Sequence, residues 1–147
     1  MLRVSRLTDY ALVLLTRLAQ CGDRPQTAQA LAAATHLHLP MASKSLKKLC
    51  QEGLVSSRRG QQGGYTLARK PADISIVEIV ESMEGPIALA PCESGELLCD
   101  IHRSCQIRPH WHLINSRLRA ELAQLSLAEL CQPPRRDLPP TLVALNA

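Results

Sequence analysis

A mainly α-helical fold carrying one small two-stranded hairpin is what this 147-residue sequence predicts. The first observation is composition: 46% of residues are apolar, only 2% are aromatic, and Phe is absent. Leu and Ala must therefore fill the core, which favours helices over a sheet sandwich. The second is helical periodicity near both ends, with Leu12, Leu15 and Leu18 early and Trp111, Ile114, Leu118, Leu122 and Leu125 late. The third is the change of pattern after Gly53 to LVSSRRGQQGGYTLAR, two short strand-like runs around a Gly-rich turn.

Taken in order, a first helix is expected from about Thr8, a capping residue, to Gln20, with Gly22 as the stop. Thr27 opens a short second helix, TAQALAAATHL. Pro40 suits the first turn of a third, PMASKSLKKLCQEG, which ends on Gly53 as a left-handed cap. On this helix Leu46, Leu49 and Cys50 share one side, while Ser43, Lys44, Lys47 and Lys48 lie elsewhere on its surface. Strands over about 54–58 and 64–68 complete a winged helix-turn-helix, assigned to residues 1–70. Residues 71–91 form a connecting helix, capped by Ser75 and striped by Ile76, Ile79 and Val80, and a linker. Residues 92–108 form an irregular cysteine loop, because Pro86, Pro91 and Gly95 break any helix. Residues 109–131 hold a long helix whose narrow, heptad-like seam suggests a dimerisation helix, followed by a capping box at Ser126 and Glu129. Packing of that seam within the same chain is the competing expectation. The Pro-rich segment 132–147 is expected to be a flexible tail.

The charge is unevenly spread. Residues 1–70 carry eleven Lys/Arg against three acids, a balance of +8, whereas 71–147 carry six against ten, a balance of −4. A basic N-terminal half points to a polyanion, and double-stranded DNA suits the predicted fold. Lys44, Lys47 and Lys48 are expected to neutralise phosphates, Ser43 and Lys44 to reach base edges, and Arg59 to enter the minor groove beside Arg58 and Gln61. The start of the sequence predicts no secretory signal, and no run reaches the roughly 18–20 apolar residues of a membrane span. A cytoplasmic protein keeps its thiols reduced, so six cysteines suggest metal or redox chemistry rather than disulfides.

Three cysteines, Cys92, Cys99 and Cys105, stand at C-x6-C-x5-C. Structural zinc sites favour closer pairs, whereas these wide spacings suit a loop draped over an iron–sulfur cluster. Cys50 reads as a core residue, and Cys21 and Cys131 show no partner chemistry.

The stretches LTDYAL and GLVSSRRGQQGGYTL, with three cysteines before a Trp-bearing helix, resemble the Rrf-type bacterial regulators that include IscR and NsrR. The resemblance covers about residues 1–131. It implies a homodimeric transcription factor that senses iron–sulfur status, redox state or nitric oxide through a 2Fe-2S or 4Fe-4S cluster, and it points to control of the SUF iron–sulfur assembly operon. It also implies Cys92, Cys99 and Cys105 as cluster thiolates and Arg59 as the minor-groove residue. At the fourth position the sequence departs from the IscR pattern, for Arg108 stands where a histidine would ligate. The NsrR pattern points instead to Asp9 of the partner subunit. Asp9 ranks first, then His110, then His102, and Asp9 also suits a helix N-terminus for electrostatic reasons alone. The competing functions are a zinc-stabilised or thiol-based redox-responsive regulator without a cluster, and an enzyme. No C-x-x-C, phosphate-binding loop or catalytic dyad supports the enzyme.

Overall fold

The computed structural model describes residues 4–60, 62–94, 101 and 104–133. Its elements run α1 (Arg6–Cys21), α2 (Ala28–Thr35), α3 (Leu39–Gln51), β1 (Val55–Arg58), β2 (Gly64–Leu67), α4 (Ile76–Glu84), α5 (Arg108–Gln124) and α6 (Leu127–Leu130). Three-residue 3-10 turns at Pro71–Asp73 and Pro91–Glu93 join them. The expected order is present, from three helices and a hairpin to the long late helix.

Local signals fix most of the boundaries. Thr27 and Ser75 cap α2 and α4 by accepting from Ala30 and Glu78 N–H, and Ser126 and Glu129 form the expected capping box. Pro40 lies in the first turn of α3, and Gly22 and Gly53, both with positive φ, follow α1 and α3. The first cap differs from expectation. Helix α1 starts at Arg6 under an Ser5 cap, whose hydroxyl accepts from Thr8 N–H at 3.3 Å. Thr8 is fully buried instead.

The antiparallel hairpin pairs Val55 with Leu67 and Arg58 with Gly64. A third short segment joins it, since Gln26 N–H donates to Tyr65 O at 3.0 Å and Tyr65 N–H to Gln26 O at 2.8 Å. This close approach explains Gly64, where a Cβ would sit 2.7 Å from Gln26 O. Gly63 is required by the turn itself, because a Cβ there would lie 2.2 Å from Arg58 O.

The core is aliphatic, as a chain without Phe dictates. Leu14, Leu15, Leu18, Leu31, Leu46, Leu49 and Leu54 from the N-terminal unit meet Ile74, Ile79, Met83 and Leu127 from beyond it. Leu127 arrives because Ile76 N–H donates to Leu125 O and Leu127 N–H to Ile74 O, each at 2.8 Å. The chain thus leaves the N-terminal helices and hairpin, runs out along α5 and returns to the same core. The predicted seam on α5 divides accordingly: Leu122 packs against the core, while Ile114 and Leu125 stay 47% and 45% exposed. Among the described residues no helix is long and apolar enough to cross a membrane. The expected tail falls almost wholly outside those residues.

Candidate nucleic-acid interface and metal centre

Helix α3 and the wing carry the basic groups. Lys44 and Lys47 are exposed and Ser43 is half-buried on α3; Arg58 and Arg59 are exposed at the end of β1 and in the turn. Gln61 lies outside the described residues. Lys48 is placed differently from the other two lysines. It is half-buried, and its ammonium donates to Met83 O at 3.1 Å, in the last turn of α4. A cation there meets the negative end of the α4 dipole, so Lys48 ties α3 to α4 rather than facing outward beside Lys44 and Lys47.

The same end of α4 also grips α1. Ser5 N–H donates to Glu84 Oε1 at 2.9 Å, and the Thr8 hydroxyl donates to the same oxygen. The Thr8 hydroxyl above all, then Ser5, hold the Glu84 carboxyl below the usual carboxylate range, with Lys48 adding a favourable charge. None of this was anticipated; only the acidic end of a short helix hinted at it.

From α4 the chain passes directly to the cysteines. Asn115, buried in the middle of α5, accepts from Leu89 N–H at 3.2 Å and donates to Ile87 O at 2.9 Å. Arg119 clamps Glu81 of α4 through two bonds of 2.8 and 2.9 Å. That guanidinium holds the Glu81 carboxyl below its usual range. Cys92 follows in the turn Pro91–Glu93, which packs on α5. Both Cys92 and Cys105 are half-buried free thiols, whereas Cys99 and His102 lie outside the described residues. Among the described residues no three potential ligands gather at one point. Cys92 lines an open cleft with Glu93, Arg108, Pro109 and His112. Within it His112 Nδ1 lies 3.2 Å from Glu93 Oε2.

His110 is exposed on α5, and Asp9 is exposed on α1, beside a surface hollow lined by Val4, Ser5, Arg6 and Leu12. The remaining thiols differ in character. Burial pushes Cys50 and Cys131 up, which disfavours their thiolates, and Cys50 packs against the core as expected.

Three helices with an antiparallel wing and exposed cations on its outer helix define a winged-helix DNA-binding transcriptional regulator. The chain belongs to the Rrf2 family, whose profile, described as an iron-dependent transcriptional regulator, matches residues 4–133. It is 30% identical over 135 residues to the HTH-type transcriptional repressor NsrR of Streptomyces coelicolor, with 90% of each chain covered. Among solved structures it resembles CymR, the global cysteine regulator of B. subtilis, with TM-score 0.72 and 28% identity over 89% of this chain and 97% of that one. It also resembles T. potens IscR, with TM-score 0.67 and 27% identity over 88% and 85% of the two chains. These relatives are regulators rather than enzymes.

Proposed function

We propose that this chain is a cytoplasmic, homodimeric regulator whose binding to promoter DNA depends on an iron–sulfur cluster held by Cys92, Cys99 and Cys105. The observation that carries the reading is the short route from Cys92 to the recognition helix. The end of α4 is bonded to α3 through Lys48 and to α1 through Glu84, and eight residues later the chain reaches Cys92. The donor chemistry fits a cluster. Cys92 and Cys105 are half-buried and not in disulfides, and Arg108 places a cation in the cleft beside Cys92, which suits a thiolate-ligated, anionic group.

When bound, the cluster, 2Fe-2S or 4Fe-4S, supplies a cross-link among three thiolates along segment 92–105. The chain's own residues do the rest. Asn115 and Arg119 hold the 87–89 segment and α4 against α5, and Lys48 and Glu84 pass any displacement of α4 to α3 and α1. In a dimer, a small change there alters the spacing of the two recognition helices, to which half-sites about one helical turn apart are sensitive. Trp111, Ile114 and Leu118 on α5, with Leu125 just after it, supply the dimer face. Lys44, Lys47, Arg58, Arg59 and Ser43, with Gln61, supply the DNA contacts. The SUF assembly operon is the target the family resemblance favours.

The test is anaerobic purification with iron and sulfide analysis, followed by promoter gel shifts of holo and apo protein at matched salt. A brown protein containing iron and sulfide, with affinities differing between the two forms, is expected. Equal affinities would remove the switch, and a colourless zinc protein would replace the cluster reading with the zinc-stabilised one.

A further inference from the structure

We infer that Leu39 and Pro40, the first two residues of the recognition helix α3, form an apolar tip that reads operator sequence by packing on the 5-methyl group of a thymine in the major groove. This rests on the DNA contacts proposed above for α3 and goes beyond them, since every side chain named there is polar or charged.

Place is the first ground. In helix-turn-helix proteins the N-terminal residues of the recognition helix meet the base edges. Buried Ala42, Ser45, Leu46 and Leu49 mark the inward side of α3. Pro40, Lys44, Lys47 and Gln51 are exposed and recur at steps of four, three and four, so they form one outward stripe. Pro40 stands at the tip of that stripe, ahead of the two lysines. Leu39 adjoins it at the start of the helix, and helical side chains lean toward the N-terminus, which carries Leu39 past the helix end.

Chemistry is the second ground. Leu39 is 44% exposed, and among the described residues it is the one large aliphatic side chain left exposed between α2 and the end of the wing. The core does not lack it. Leu37, two residues earlier, takes the inward place, packed on the core with its N–H donating to Ala32 O at 3.0 Å. His38 caps α3 without a side-chain bond, and the first turn holds no acid. Leu39 and Pro40 thus offer a base no hydrogen-bonding side chain, and no carboxylate there repels the phosphates. Of the groups that base pairs show in the major groove, the thymine methyl is the apolar one, and apolar side chains meet it. With Lys44 and Lys47 holding the helix to the duplex, Leu39, Pro40 and the methyl leave water together, which is favourable.

The experiment is a thymine-methyl scan with the full-length protein. A preferred operator is selected from random duplexes, and each thymine in turn is replaced by deoxyuridine, which keeps the base pairing and loses only the methyl. Affinity is read by fluorescence anisotropy. For the wild type, deoxyuridine at one thymine of a half-site should weaken binding about fourfold, the worth of one buried methyl. The double variant Leu39→Ala, Pro40→Ala, whose alanines suit an exposed helical turn, should bind the thymine operator more weakly and the two operators alike. Lys47→Ala should bind both more weakly and keep the fourfold difference. No deoxyuridine penalty at any thymine in the wild type, or a penalty of the same size in the double variant, overturns the inference. A wild type that selects no sequence overturns the DNA contacts themselves, so the two failures are distinct.

Discussion

Thr8 and Glu84 are 76 residues apart in sequence, yet one carboxylate oxygen receives the Thr8 hydroxyl and the Ser5 amide. The pair joins the first turn of α1 to the last of α4, and a carboxylate at an N-terminus also meets the positive end of the helix dipole. Because the Glu84 carboxyl is held below its unfolded range, its contribution to stability is present above the unfolded value, about pH 4, and is lost as pH falls through the folded value. Glu84→Gln should therefore lower the melting temperature at pH 7, with the gap to wild type narrowing below about pH 4; thermal denaturation across that range checks it. Lys48 gives a second prediction at this scale. Lys47→Ala should reduce the salt slope of operator binding by about one. Lys48→Ala should leave the slope nearly unchanged and instead lower stability, read by fluorescence anisotropy against salt and by melting. Sequence alone grouped the two lysines, since a helix surface does not reveal which cation has a carbonyl waiting in another element.

At the scale of elements, α5 serves two masters. One side, with Asn115, Arg119 and Leu122, belongs to its own chain. The other leaves Ile114 47% and Leu113 49% exposed. If α5 forms the proposed dimer face, Ile114→Glu should yield a monomer with little change in helical content, measured by sedimentation and circular dichroism. Asn115→Leu should cost about 1–3 kcal/mol, because it strands Leu89 N–H and Ile87 C=O; chemical denaturation measures that loss. The heptad-like spacing of Trp111, Ile114, Leu118, Leu122 and Leu125 revealed a helix with an apolar seam. It did not reveal that the seam splits, or that the best-buried side chain of the helix is an asparagine, because periodicity records polarity and not partners. The caps at Thr27, Ser75 and Ser126 and the stops at Gly22 and Gly53 were legible because each acts within four residues of itself.

At the scale of the molecule, the returning chain makes the three N-terminal helices, α4 and α6 share one core. Leu127, fully buried between α1 and the turn before α4, closes that circuit. Leu127→Ala should cost about 2–5 kcal/mol and weaken operator binding with it; chemical denaturation and gel shifts of one preparation measure both. Legible in the sequence were the element order, the wing, the caps of α2, α4 and α6, the basic N-terminal half and the spacing of three thiols. All of these follow from local backbone preference, short-range periodicity or composition. Packing alone settles that Lys48 turns inward, that Glu84 and Thr8 meet, that Gln26 pairs with the wing, and that His112 rather than His110 shares a cleft with Cys92. Each of those is a meeting of residues far apart in the chain or a choice between two faces of one helix. Such choices are made by packing, which no window of sequence contains.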